Sequence, residues 1–291
     1  MPPLTRRTLL AATAATFVVA GRASAQPSAP RVATLDWALL ETLLAIGANV
    51  VAATELRQFA QVAVKPDVPP ETMDIGLRGT PNFEALYAAR PDIIFNSNFY
   101  AWADPLIGRI APVESHAIYT SGESPYALAQ KATLAIGERL QLPAAQNLVD
   151  ELAARLERHK STLAHHRRPV LLINLGDARH FRVFGADSMF GEVLTRIGLT
   201  NAWKSATSYS ATAPVGIETL AAMPDATIIL IPPHPQDALD ALTTSAFWNA
   251  LPAMRENRVV TIGSINPYGA LPAASRFADM LAQGLSHVQN G

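Results

Sequence analysis

One pattern occurs twice in the chain, as PNFEALYAARPDII at residues 81–94 and as VGIETLAAMPDATI at residues 215–228. Each copy has a glutamate early in a short predicted helix and a leucine two residues later. A Pro-Asp pair then stops the helix, and an apolar run with the character of a buried strand follows. Because the copies lie in opposite halves of the chain, they predict two related lobes of one architecture.

Short apolar runs alternate with helical patterns on both sides of these copies. Alternation of this kind is typical of the α/β class, in which mainly parallel sheets carry helices on their faces. The predicted strands are residues 31–35, 50–53, 93–95, 117–119, 170–174, 226–231 and 258–262.

A helical tract separates the two lobes. Pro143 stands where a helix can begin, and leucines at 148, 152, 156 and 163 form one apolar face that continues to about His165. We therefore divide the chain into an N-terminal lobe (26–141), a connecting helix (142–166) and a C-terminal lobe (167–291). A helix of about 20 residues is about 30 Å long and, as a single connection, would let the lobes hinge little.

The N-terminus has the pattern of a cleaved export signal. Arg6 and Arg7 precede an apolar run from Leu9 to Ala20, and Ala23-Ser24-Ala25 offers a cleavage site, so residues 1–25 are predicted to be a signal peptide. The paired arginines suggest the twin-arginine route. No cysteine is present for a lipid anchor, and we expect the mature protein in a periplasm.

The composition excludes several classes of function. The formal net charge of −1 becomes −4 once the three arginines of residues 1–25 are removed, which argues against a nucleic-acid partner. Without cysteine there is no disulfide, thiol catalysis or thiolate metal site. The seven histidines are scattered, so we predict no resident metal or cofactor, and a monomer is the expected state of a diffusing carrier.

Polar and aromatic side chains follow several predicted strands. In open α/β sheets ligands bind beyond the carboxyl ends of the strands, so these side chains are candidates for a shared cleft. Each also has a simpler interpretation, as a core side chain, a surface ion pair or an exposed turn residue. The candidates are Trp37, Arg78, Tyr100, Trp203 and Tyr268.

Known catalytic signatures are absent. The sequence has no G-x-S-x-G, G-x-G-x-x-G, phosphate-binding Gly-x4-Gly-Lys or H-E-x-x-H motif. An enzyme on a Rossmann-like scaffold stays an alternative of a different class, but no motif favours it.

Several segments, in order along nearly the whole mature chain, resemble the periplasmic ferric-hydroxamate siderophore-binding proteins. The arginine segment and the Tyr-Gly-Ala segment are the most specific of them. The segments are Asp36-Trp37, Asp74 to Arg78, Pro81 to Glu84, Arg109 to Pro112, Val183 to Gly185, Asn201 to Trp203 and Tyr268 to Ala270.

The resemblance implies two Rossmann-like lobes joined by one long helix, with a ferric siderophore in a shallow cleft between them. Arg78 and Tyr100 would hydrogen-bond the hydroxamate oxygens, and Trp37, Trp203 and Tyr268 would line apolar walls. Glu84 and Glu218 would meet arginines of an ABC permease in the inner membrane. The siderophore itself would hold the iron.

The sequence departs from this family where the family has further pocket tryptophans. Those positions are taken by Asn96, Ser210 and Asn266, so we expect a smaller and more polar wall built from these residues. This difference leaves the cargo open: the same fold could carry haem, cobalamin or a ferric carboxylate siderophore.

Overall fold

The computed structural model describes residues 29–207, 213–286 and 288. The predicted signal peptide at residues 1–25 and the predicted wall residue Ser210 lie outside the described residues. In the described part, two five-stranded sheets form with helices packed on them, which confirms the predicted α/β class.

The first sheet belongs to the N-terminal half and is entirely parallel. A separate two-stranded hairpin lies in the chain between two strands of this sheet and carries Arg78 at its turn. The sheet strands, in spatial order, are β3 (Met73–Asp74), β2 (Asn49–Ala53), β1 (Arg31–Thr34), β6 (Ile93–Asn96) and β7 (Val113–Ser115), and the hairpin strands are β4 (Gly76–Leu77) and β5 (Thr80–Pro81).

The second sheet belongs to the C-terminal half and is mixed. Two of its strands pair antiparallel at one edge, and the other three are parallel. In spatial order the strands are β10 (Ala213–Gly216), β9 (His180–Val183), β8 (Val170–Leu175), β11 (Thr227–Leu230) and β12 (Val259–Thr261).

The two copies of the sequence pattern occupy equivalent places in the two sheets. The first copy leads into β6, which pairs with β1, and the second leads into β11, which pairs with β8. The first glutamate lies in a short α-helix capped by Asn82, and the second lies in a 3-10 helix. The repeat in the sequence is therefore a repeat of the fold.

Eleven α-helices and two 3-10 helices connect the strands within the described residues. Their starts follow local capping: Asp36 accepts hydrogen bonds from the backbone N–H groups of Ala38 and Leu39, and Ser124 accepts one from Ala127. The α-helices are α1 (Trp37–Ala45), α2 (Leu56–Val62), α3 (Phe83–Ala88), α4 (Asp104–Ile107), α5 (Pro125–Leu140), α6 (Ala144–Thr162), α7 (Met189–Arg196), α8 (Gln236–Thr244), α9 (Ala246–Ala250), α10 (Pro252–Arg255) and α11 (Leu271–Ser286), and the 3-10 helices are Asn98–Ala103 and Ile217–Ala222.

A helical layer lies between the two sheets and joins them. Helix α11 packs against α1, α5, α6 and α7, and one hydrophobic core runs from the first sheet through this layer to the second. The rings of Phe190 and Phe277 stack there with 4.3 Å between their centroids. Moving the lobes apart would expose this apolar surface, at about 25 cal/mol for each Å². The predicted boundaries of the connecting helix, at residues 142 and 166, stay a prediction. Helix α11 contacts elements of both halves of the chain.

One predicted strand is wrong. The structure forms β7 at Val113–Ser115, whereas residues 117–119 are irregular. Ile118 and Tyr119 are buried in the central core, which accounts for the apolar run at these positions. Tyr119 also donates a hydrogen bond to the carbonyl oxygen of Gly269 at 2.7 Å. A short apolar run does not distinguish a strand from a buried loop.

None of the helices in residues 29–207 and 213–286 has both the length and the apolar composition that crossing a lipid bilayer requires.

Candidate ligand-binding cleft

Two adjoining cavities open between the sheets, and we call them together the cleft. The smaller has a volume of about 280 Å³ and the larger of about 520 Å³. Four residues line both cavities, which makes them one continuous groove: Trp37, Arg78, Asn266 and Tyr268. The smaller cavity adds Asp36, Ala38, Phe99 and Tyr100, and the larger adds Gln58, Val62, Asn174, Leu175, Gly176, Arg182, Pro233, His234, Pro235 and Pro267.

Arg78 is held by Trp37 and Glu55. Its guanidinium lies over the indole ring of Trp37, with 3.9 Å between Cζ and the ring centroid. Its Nε donates to Oε2 of Glu55 at 2.8 Å, and its backbone N–H donates to Oε1 of the same carboxylate at 3.0 Å. The Tyr100 side chain lines the same cavity as the guanidinium. These contacts fix the direction of the remaining N–H groups.

The backbone around Glu55 brings the carboxylate to Arg78. Glu55 follows β2 with a left-handed φ of 52°, and Gly76 in the hairpin has a φ of 82°. The N–H of Glu55 donates to the carbonyl oxygen of Gly76 at 2.9 Å, which ties the hairpin to the end of β2. A left-handed conformation costs little at Gly76 but is unusual at Glu55, where the two bonds to Arg78 offset it.

Tyr100 lies on the 3-10 helix that follows β6 and is partly buried in the smaller cavity. Burial raises the pKa of its phenol, so the hydroxyl is protonated at neutral pH and can donate a hydrogen bond. Below it, the Nδ2 of Asn96 donates to the carbonyl oxygen of Tyr100 at 3.0 Å and to Oδ1 of Asp104 at 2.6 Å.

The expectation that Asn96 forms part of the wall is wrong for this structure. Its side chain is 0% exposed and lines neither cavity. Asn96 is the last residue of the buried strand β6, and its amide donates a hydrogen bond to the turn that carries Tyr100. Asn96 therefore acts beneath the cleft, through the position of Tyr100.

Tyr268 and Asn266 enter the cleft from the loop before α11. The Tyr268 ring meets the rings of Tyr119 and Phe99 edge-on, with centroid distances of 5.7 and 6.5 Å. Asn266 lines both cavities but is only 3% exposed. Its amide is turned inward, where Nδ2 donates to Oε1 of Glu41 at 2.9 Å. Its Oδ1 accepts from the Tyr268 backbone N–H at 3.1 Å. Asn266 thus braces the loop that presents Tyr268.

Two buried carboxyl groups lie behind this side of the cleft. Burial raises the pKa of Glu41 to about 8, against the smaller opposing effect of the hydrogen bonds from Asn266 and Ala270. Burial also raises the pKa of Asp36, whose carboxylate accepts from Ser97 Oγ at 2.6 Å as well as capping α1. Glu41 joins helix α1 to the 266–270 loop across the junction of the lobes.

The other predicted residues lie away from the cavities. Trp203 is partly buried and packs on the core of the second sheet, and it lines neither cavity. Trp203 follows the isolated bridge residue Asn201, and its predicted place in the wall stays a prediction. Glu84 and Glu218 are both exposed, one on each lobe.

Several residues in the cleft or beside it were not predicted. Glu55 follows the carboxyl end of β2, so the rule that identified Trp37 could have identified it too. Phe99 and His234 follow the carboxyl ends of β6 and β11, so the same rule could have identified them. Arg182 lies inside β9 and has no sequence signal of this kind. Phe99 stacks on Tyr119 with 6.0 Å between ring centroids, which completes an aromatic side of the smaller cavity.

Comparison with known sequences gives two matches over nearly the whole chain. The sequence model of the family described as periplasmic binding protein matches residues 32–265. The iron(3+)-hydroxamate-binding protein FhuD of Escherichia coli is 29% identical over 294 residues, covering 97% of this chain and 96% of that protein.

Solved structures with the same fold include two that hold iron complexes. The siderophore-binding protein FhuD of Vibrio cholerae, bound to Fe3+-Desferal, aligns with a TM-score of 0.85 at 24% identity, covering 90% of this chain and 99% of that one. BauB, bound to a complex of two acinetobactin molecules with ferric iron, aligns with a TM-score of 0.69 at 17% identity, covering 89% and 93%.

Proposed function

Because the chain belongs to the periplasmic binding protein family, we propose that it is an exported, non-catalytic carrier that captures a ferric hydroxamate siderophore and delivers it to an ABC permease. The observation that carries this proposal is the pairing of Arg78 with Tyr100 in one aromatic-walled cleft between the lobes. The relatives named for hydroxamate binding or bound to Fe3+-Desferal support the choice of cargo.

The chemistry of the cleft suits a metal whose coordination is already complete. Hydroxamate oxygens are hard donors that fill the coordination sphere of Fe(III), so the protein needs hydrogen-bond donors rather than metal ligands. The guanidinium of Arg78 offers several N–H groups in a fixed plane, and the Tyr100 hydroxyl adds another donor. We assign both groups to the oxygen atoms around the iron.

The organic arms of such a ligand need apolar surfaces. Tyr268, Phe99 and Trp37 line the cleft around the proposed iron centre. Rigid rings bury large areas at a small entropic cost, so they bind arms of different chemistry. We assign the arms to this aromatic side.

Titration with ferrichrome-type and ferrioxamine-type complexes tests the proposal, with tryptophan emission as the readout. Trp37 lies directly under Arg78, so a ligand at this centre should quench its emission. Arg78→Ala should weaken binding strongly, by roughly a hundredfold if two charge-assisted hydrogen bonds are lost. Arg57→Ala, a change at an exposed arginine of α2, is the matched control. Equal affinities for the Arg78 variant and the unaltered protein would refute the contact.

A ferric complex of another chemical type is the second candidate cargo. The cleft has few tryptophans, and BauB is bound to acinetobactin and ferric iron on the same fold. Purifying the protein from iron-starved cells and identifying the bound ligand by mass and absorption separates the candidates. A bound haem or cobalamin would exclude the hydroxamate assignment.

Delivery requires recognition by the permease. We assign this role to Glu84 and Glu218, which are exposed at equivalent places of the two lobes. Two separated carboxylates can orient docking on a surface that carries arginines. Export by the signal at residues 1–25 and a monomeric state complete the proposal.

A further inference from the structure

The larger cavity of the cleft has an unequal distribution of charge. Its lining includes the side chains of Arg78, Arg182 and His234, and no Asp or Glu lines it within the described residues. The smaller cavity, by contrast, has the acidic residue Asp36 in its lining. The two ends of the groove therefore offer a ligand different electrostatic surroundings.

The charge of Arg78 is compensated, and that of Arg182 is not. Arg78 pairs with Glu55 at 2.8 Å. Arg182 is exposed and, in the part of the chain that the structure describes, forms no ion pair. The two carboxylates nearest in sequence are engaged elsewhere: Asp177 accepts from the N–H groups of Arg179 and His180 in its own turn, and Asp187 accepts from the backbone N–H of Thr207.

His234 adds surface rather than charge at this end. Burial lowers the pKa of its imidazole, so the ring is neutral at pH 7. The loop that carries it is held by Asn174, whose Nδ2 donates to the carbonyl oxygens of Ile231 and Pro233, both at 2.7 Å. The positive charge at the C-terminal side of the groove comes from Arg182.

Arg182 is well positioned to meet a ligand. It alternates with buried neighbours along β9, and it lies directly opposite Asn174 of β8 in the antiparallel register. A guanidinium on a rigid strand can receive a carboxylate with two parallel N–H donors. Binding would exclude water around the pair and strengthen the attraction.

We infer that Arg182 forms a second binding subsite that selects ferric hydroxamates carrying a peripheral carboxylate group. This inference rests on the proposed function, since Arg78 and Tyr100 would hold the iron centre while Arg182 receives an anionic arm. The selected ligands are anionic complexes, and a cationic arm at the same place would be repelled by the guanidinium.

Three ligands that share one iron centre test the subsite. Ferrioxamine B carries a terminal ammonium group, its N-acetyl derivative is neutral there, and its N-succinyl derivative carries a carboxylate. We expect the N-succinyl complex to bind about tenfold more tightly than the N-acetyl complex, and ferrioxamine B to bind most weakly. The preference should shrink as salt is added.

Two variants separate the subsite from general charge effects. Arg182→Gln should abolish the preference for the N-succinyl complex over the N-acetyl complex. Arg179→Gln removes one positive charge from an exposed position near β9 that lines neither cavity, and it should keep the preference. Thermal unfolding checks that each variant is folded.

The outcomes distinguish this inference from the proposed function. Equal binding of the N-acetyl and N-succinyl complexes, or an unchanged preference in Arg182→Gln, would overturn the subsite while the carrier function stands. Failure of all three complexes to bind would overturn both.

Discussion

The guanidinium of Arg78 lies over the ring of Trp37, with Cζ 3.9 Å from the ring centroid. Trp37 is itself fixed, because its Nε1 donates to the carbonyl oxygen of Thr54 at 3.0 Å and its ring packs edge-on against Phe59. The arginine therefore rests on a buried platform rather than extending freely into solvent. A ligand that meets it needs to order few side chains, which favours affinity.

Glu55 should contribute to binding without touching the ligand. Glu55→Ala removes both bonds from its carboxylate to Arg78, so the guanidinium loses its fixed direction. We expect affinity for a ferric hydroxamate to fall roughly tenfold, measured by tryptophan quenching. Glu71→Ala, at an exposed position of the same lobe, is the control. Unchanged or tighter binding in Glu55→Ala would show that positioning of Arg78 is unimportant.

Tyr100 should donate one hydrogen bond to the iron centre. Tyr100→Phe keeps the ring and removes the hydroxyl, so affinity should fall roughly three- to tenfold while the unfolding temperature stays nearly constant. Because burial raises the pKa of the phenol, this contribution should not vary between pH 6 and 9. The measurement is a set of titrations over that range. A loss that varies with pH in this window would contradict a neutral donor.

Glu41 should make the stability of the protein depend on pH. Its pKa is about 8 in the folded protein and near its ordinary value of 4.5 in the unfolded chain, so the folded state holds its proton more tightly. The contribution of Glu41 to the free energy of unfolding is therefore largest below pH 4.5 and decreases as pH rises to 8. The slope is at most about 1.4 kcal/mol per pH unit.

The variant Glu41→Gln isolates this effect, because it keeps the shape of the side chain and carries no charge. Urea unfolding at pH 5, 6, 7 and 8 should give a flatter pH profile for Glu41→Gln than for the unaltered protein. Glu71→Gln, at an exposed glutamate, should keep the original profile. Parallel profiles for Glu41→Gln and the unaltered protein would contradict the raised pKa.

Glu84 and Glu218 should act in transport and not in capture. The double change to alanine lies on two exposed helices outside the cleft, so ligand affinity should be unchanged. Uptake of the ferric complex by cells that rely on this protein should be lost. A double variant at the exposed Glu138 and Glu157 of α5 and α6 controls for charge. Normal uptake with Glu84 and Glu218 both replaced would remove them from the docking surface.

Most of the fold could be predicted from the sequence because its signals are local. Signals within a few residues set the position of β1 and the capping of α1 by Asp36. They also end the helix before each Pro-Asp pair. The strand wrongly predicted at residues 117–119 had a different cause. Tyr119 is buried and donates a hydrogen bond to Gly269, which is 150 residues away in the sequence. No pattern of neighbouring residues contains that contact.

The candidate site could be predicted only in part. Arg78, Tyr100, Trp37 and Tyr268 follow the strand ends and the resemblance, and the structure brings them to one groove. Asn96, the last residue of β6, is turned into the core, and Trp203 packs on the core of the second sheet. A side chain at the end of a strand can face either the cleft or the core. Position along the chain does not decide between those two sides.

By itself, the sequence determined the elements, their order and their duplication, since apolar spacing, capping residues and turn residues act over a few positions. Only the tertiary structure decided that Glu55 would neutralise Arg78, that Glu41 would brace Asn266 across the lobes and that Arg182 would stand in the groove without a partner. Charge and hydrogen bonding act through space. The partners of these groups are therefore set by how the two sheets and their shared helical layer pack.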